Sequence, residues 1–141
     1  MHYEEVETLL RRSEDYLELA NSAFESEKYD AAIFLAEQAL QLHIKALLIK
    51  YADLRIRSHS LRELLYRLGQ VFKLEDRIEE FIRANRKLLR ELEDAYIETR
   101  YEARVYYRED AEELIEFVAR VMDFVEGLAD EFERGSNLQD D

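Results

Sequence analysis

The chain has 141 residues, 48% of them hydrophobic and 38% charged, and it carries a net charge of −13. That length supports one domain with a sizeable core, and zero Cys excludes a disulfide framework, a thiolate metal site and a cysteine nucleophile. Zero Pro with only three Gly argues against a turn-rich all-β sandwich, so an all-α domain is expected.

Val6, Leu9, Leu10, Tyr16, Leu17, Ala20, Ala23 and Phe24 recur at three- and four-residue steps, which predicts an amphipathic helix over about 3–26. Ser26 to Tyr29 reads as a short turn, after which Asp30 can cap the next helix through its carboxylate. That second helix, about 31–51, reads AAIFLAEQALQLHIKALLIKY and is interrupted only by Glu37, Gln38, Gln41, His43, Lys45 and Lys50. A helix so poor in polar surface must be covered on several sides, by its own chain and by a second subunit. No apolar run approaches the roughly 18 residues that span a membrane. Met1 to Glu7 lacks the basic and apolar regions of a signal peptide, so a cytoplasmic location is expected.

Ser60-Leu-Arg-Glu63 is a capping box opening a short third helix over 60–69, with Leu61, Leu64, Leu65 and Leu68 on one face. Gly69 is expected to supply its left-handed stop. A fourth helix is expected over 75–92 on Ile78, Phe81, Ile82, Asn85, Leu88, Leu89 and Leu92. The last begins at Glu109 or Asp110, turns Ala111, Leu114, Val118, Val121 and Val125 inward, and ends near Gly127. The domain then covers 1–130, with 131–141 a polar acidic tail.

Charge is uneven. Residues 1–54 have five basic and eleven acidic groups, 55–90 ten basic and five acidic, and 91–141 five basic and seventeen acidic. The basic middle reads first as a solvated face pairing with acidic helices, and second as a partner for phosphate. Within Ala95 to Arg108, Tyr96, Tyr101, Tyr106 and Tyr107 crowd together while Arg100, Arg104 and Arg108 recur every four residues. If that stretch is helical, the three guanidiniums share one face, and Arg beside Tyr suits phosphate and base binding. The alternative is that the tyrosines are packing groups and the arginines pair with nearby acids.

Much chemistry is missing. Three His without Cys make a poor metal site, and no metal is expected. There is no Glu-x-x-His pair of the di-iron bundles, no Gly-rich phosphate loop and no Ser nucleophile elbow.

Taken together, YDAAIFLAEQALQLHIKALL, then RSHSLRELL, then YIETRYEARVYY before an acidic amphipathic helix resemble the HEPN family over about residues 5–128. The resemblance implies an all-α, up-and-down antiparallel bundle of four long helices plus one short helix, commonly a homodimer. It further implies a separately encoded minimal nucleotidyltransferase as partner in a toxin–antitoxin pair, a nucleotide ligand, or, in one branch, RNA cleavage.

That ribonuclease branch uses Arg, four to six intervening residues, then His, for acid–base catalysis of attack by the RNA 2′-hydroxyl. Here Arg55 and Arg57 stand too close before His59, and from Arg100 the His positions hold Val105, Tyr106 and Tyr107. In the family's related arrangement of Arg, four residues, His, one residue, Tyr, only Arg100 and Tyr107 are in place.

The leading expectation is therefore a non-catalytic homodimeric module that binds a minimal nucleotidyltransferase or a nucleotide. Arg100 and Arg104 would hold phosphate, Tyr101 or Tyr107 would stack on or hydrogen-bond a base, and His59 and Lys45 would line the same groove. Tyr107 is also the candidate acceptor of nucleotide modification by the partner. No catalytic residue, resident cofactor, membrane contact or double-stranded DNA partner is expected. Two alternatives stand beside this reading: a divergent metal-independent ribonuclease using His59 and Arg100, and a purely structural oligomerisation bundle.

Overall fold

A computed structural model describes residues 2–140, with side chains through residue 136. Six helices follow one another among these residues: α1 (Tyr3–Glu25), α2 (Tyr29–Ala52), α3 (Leu61–Phe72), α4 (Glu75–Ala84), α5 (Arg86–Tyr101) and α6 (Arg108–Asp140). The result is an all-α bundle.

α1 and α2 form an antiparallel hairpin across a tight turn in which Glu27 takes a left-handed backbone. Asp30 does not cap α2. The helix starts two residues earlier than expected, at Tyr29, whose ring packs edge-on against Phe24 with centroids 5.7 Å apart, and Asp30 lies in its first turn.

α2 is the central element, packing against α1, α3, α5 and α6. Ala32, Ile33, Ala36, Leu40, Ile44 and Leu48 are fully buried, and the alanines allow close helix approach. By length and composition α2 could cross a membrane, contrary to the expectation of no such run. Its apolar surface is instead spent inside the bundle, where 67% of its most apolar window is buried.

α3 starts as the capping box predicts on one side only. Ser60 Oγ accepts from the Glu63 amide at 3.3 Å. The reciprocal bond is relayed: Ser60 N–H donates to Ser58 Oγ at 3.1 Å, and the Ser58 hydroxyl donates to Glu63 Oε2 at 2.7 Å. Gly69 is not the stop. It sits buried inside α3, and the left-handed residue is Lys73, after which Leu74 N–H donates to Gly69 O. Gly69 serves close approach instead, because a Cβ there would come within 2.9 Å of Ile78 Cγ1.

The single helix expected over 75–92 is two helices meeting at Asn85, whose amide group donates to Phe81 O at 2.9 Å. That side chain competes with backbone for the carbonyl and helps turn the chain. α4 is held to α6 by Phe81, stacked on Phe124 at 4.1 Å and on Phe117 at 6.4 Å.

α6 does not end near Gly127. Gly127 is exposed within it, where one glycine costs only about 1 kcal/mol, and Phe132 anchors the next turn against Tyr51 and Phe72. The packed part of the chain thus reaches beyond residue 130. Of the expected tail, Asp141 and the side chains of 137–140 lie outside the described residues.

Candidate functional site

Three of the polar residues of α2 are aligned. Glu37, Gln41 and Lys45 recur every four residues and so form one stripe along a helix that is otherwise core. Glu37 is fully buried and Gln41 nearly so. The Glu37 carboxylate accepts from Gln38 Nε2 at 2.8 Å and from Gln41 Nε2. Burial pushes the Glu37 carboxyl up to about 7 against the pull of these two amides and of the Arg100 and Lys45 charges. Lys45 is lowered by its own burial, with Glu37 opposing.

From Gln41 the stripe continues onto the connection between α2 and α3. Gln41 Oε1 lies 3.2 Å from His59 Nδ1. The His59 ring stacks on Tyr96 of α5, with centroids 4.9 Å apart and planes 21° from parallel. The same Tyr96 ring carries the Arg100 guanidinium, whose Cζ is 4.0 Å from its centroid.

Arg100 stands among three aromatic rings, with Tyr101 at 4.7 Å and Phe34 at 5.6 Å completing the set. Its Nε donates to Tyr96 O at 2.8 Å, while its two Nη groups have no partner among the described residues. An Arg seated on rings, whose fork makes no ion pair among the described residues, is suited to receive an anion from solvent.

Of the residues singled out from sequence, Arg100, Tyr101 and His59 therefore gather around Tyr96, whereas Lys45 lies farther along α2, two turns beyond Glu37, with no hydrogen bond or ion pair among the described residues. Arg104 and Tyr107 sit instead on the connection between α5 and α6. α5 ends at Tyr101, so Arg100, Arg104 and Arg108 do not share one helical face. Arg104 Nη1 donates to Glu98 at 2.7 Å and lies over Tyr106, whose buried hydroxyl also donates to Glu98 at 2.6 Å. These bonds hold the Glu98 carboxyl below its ordinary value, that of Tyr106 first. Arg108 covers Phe24. Tyr107 is different from Tyr106: the residue is 65% exposed and is engaged through its backbone, the N–H donating to Asp110 and the carbonyl accepting from the Ala111 N–H.

Glu37, Gln41 and Tyr96 were not among the predicted site residues. Their signal was present in the four-residue spacing of Glu37, Gln41 and Lys45, which no core requirement explains. In the sequence Tyr96 is one tyrosine among four between Ala95 and Arg108, with nothing local to set it apart.

The basic stretch 55–90 divides. Arg55 pairs with Glu5 and Asp53, Arg62 with Glu93, and Arg77 with Glu131. Arg67, Arg83 and Arg86 line an open groove with Tyr66 and have no ion pair among the described residues. His43 lies apart from the site, with Nε2 2.9 Å from Glu126 Oε1 but in no hydrogen bond of acceptable geometry. Burial lowers its affinity for a proton, with Glu126 opposing.

A solved structure from Thermus thermophilus, that of TT1696, is similar to this chain at 26% identity and a TM-score of 0.70. The match covers 87% of this chain and 97% of that one. No curated protein matches. The HEPN domain model matches residues 6–128, a span that contains the whole Glu37–Gln41–His59–Tyr96–Arg100 constellation. The chain belongs to the HEPN domain family.

Proposed function

We propose that this chain is a non-catalytic HEPN module that binds a nucleotide, with Arg100 holding phosphate and Tyr101 offering a stacking face for a base. His59 borders the same site, and Lys45 lies farther along α2. The observation that carries this reading is the Arg100 guanidinium, held on aromatic rings by Tyr96 and its neighbours while neither Nη group has a partner among the described residues. Calorimetric titration with adenosine monophosphate tests it. Wild type should bind, Arg100→Ala should lose at least tenfold in affinity, and no binding at millimolar nucleotide would contradict the reading.

In this account the module is cytoplasmic, works as a homodimer and is paired with a minimal nucleotidyltransferase in a toxin–antitoxin system. Support comes from the exposed apolar side chains Ile97, Tyr101, Val105 and Tyr107 around the end of α5, a patch suited to a protein partner. Tyr107 is the proposed acceptor of a nucleotidyl group, since the residue is exposed while the hydroxyl of Tyr106 is committed to Glu98. Arg104 serves phosphate only when released from Glu98.

One observation favours a second reading, metal-independent RNA cleavage with His59 as base and Arg100 as anion holder: both groups rest on the Tyr96 ring. RNA cleavage that persists unchanged in His59→Ala and Arg100→Ala would exclude it.

A further inference from the structure

The nucleotide reading leaves Glu37 without a role, although it is the one fully buried carboxylate of α2 and opens a chain of contacts that ends at the site. An ionised carboxylate can only accept hydrogen bonds. Glu37 takes two, from the amide nitrogens of Gln38 and Gln41. Gln41 must therefore point its nitrogen at Glu37 and its carbonyl oxygen the other way. That oxygen faces His59 Nδ1 at 3.2 Å.

A carbonyl oxygen also only accepts, so in the neutral imidazole Nδ1 carries the proton and Nε2 keeps the lone pair. Stacking on Tyr96 fixes the plane of the ring. Two residues buried in the core thus dictate which hydrogen-bonding character His59 shows at the surface.

We propose that Glu37 and Gln41 are positioning residues that present His59 Nε2 as a hydrogen-bond acceptor, so that the site takes a phosphorylated ligand bearing a hydroxyl or amino donor. This rests on the reading of Arg100 as the phosphate holder. A fully ionised phosphate monoester without such a donor offers Nε2 nothing, and it leaves a lone pair desolvated beside an anion. A sugar phosphate supplies the missing hydroxyl. A ring with the opposite tautomer would donate to the phosphate itself and would not discriminate.

Two measurements at pH 8 on the full chain decide it. Long-range ¹H–¹⁵N spectra of the His59 ring report which nitrogen is protonated. Calorimetry compares ribose 5-phosphate with methyl phosphate, which has no donor. Wild type should show the Nδ1–H tautomer and favour ribose 5-phosphate at least tenfold.

Glu37→Gln, which keeps the shape of the side chain, should mix the tautomers and narrow that ratio without weakening methyl phosphate. Gln41→Met should do the same by removing the acceptor. Arg100→Ala should weaken both ligands together and leave the tautomer untouched. An Nε2–H tautomer in wild type, or a tautomer and a ligand ratio unmoved in both Glu37→Gln and Gln41→Met, would overturn the proposal. If neither ligand binds wild type, the Arg100 reading fails, and the tautomer spectra still decide what Glu37 and Gln41 do.

Discussion

Arg100 lies over Tyr96, one helical turn earlier on α5, with its Cζ 4.0 Å from the ring centroid and its Nε bonded to the Tyr96 carbonyl. The same ring supports His59 from another part of the chain. Tyr96 is therefore the platform that gathers two nitrogen-bearing side chains from two elements distant in sequence.

Replacing that platform should weaken the ligand site without touching the ligand. The cation–ring and ring–ring contacts are each worth about 0.5–1 kcal/mol, so Tyr96→Leu should reduce nucleotide affinity by roughly tenfold. Titration of the variant checks this, with circular dichroism confirming that α5 is retained. An affinity equal to wild type would show that Arg100 needs no such seat.

The two glycines with opposite surroundings make a paired test of packing. At Gly69 a Cβ would meet Ile78 Cγ1 at 2.9 Å and its Cβ at 3.3 Å, both part of a fully buried side chain. Gly69→Ala should destabilise by about 1–2 kcal/mol even after the gain in helix propensity. At Gly127 nothing lies within 4 Å, so Gly127→Ala should stabilise by about 0.5–1 kcal/mol. Urea unfolding of both variants measures the contrast.

Stability should fall as the solution becomes more alkaline through the titration of Glu37. Its carboxyl moves from the ordinary 4.5 to about 7 in the folded chain, burial outweighing Gln41, Gln38, Arg100 and Lys45. A group that binds its proton more tightly when folded contributes fully below the unfolded value and loses that contribution as pH rises through the folded one. The loss across pH 4.5 to 7 is about 3 kcal/mol. Glu37→Gln removes the ionisation, so its stability relative to wild type should rise over that window. Denaturant curves at several pH values test this, and parallel pH profiles would contradict it.

Ser60 anchors the segment that carries His59. Its hydroxyl accepts from the Glu63 amide, so Ser60→Ala should cost about 1 kcal/mol and Ser60→Gly only a few tenths. Thermal unfolding of the two variants should rank them in that order.

Periodic apolar residues make α1, α2 and α3 legible in the sequence, because burial of a helix face follows directly from spacing. Ser60 announced a helix start for the same reason: its chemistry is local. What failed was decided by contacts distant in sequence. Gly69 reads as a helix stop unless one knows that Ile78 comes back against it. Phe132 extends α6 by packing on Tyr51 and Phe72, residues on two other helices. Asn85 had the right spacing for a core position, yet its amide bonds to the Phe81 carbonyl, and the two helices meet there.

At the site, the arginine-tyrosine stretch was visible as composition, but only the fold separates Arg100, seated on rings and in no ion pair among the described residues, from Arg104, tied to Glu98. Glu37 was visible as a charge inside a core helix, and its bond to Gln41 follows from their spacing. The link onward to His59 does not, since it spans two elements.

An anion site at Arg100 is tested most directly by amide and side-chain ¹H–¹⁵N spectra recorded during titration with adenosine monophosphate. Arg100 Nε, the His59 ring and the amides around Phe34, Tyr96 and Tyr101 should shift together along one saturable curve. Shifts confined to Arg67, Arg83 and Arg86 in the groove beside Tyr66, or no saturable shifts at all, would contradict it.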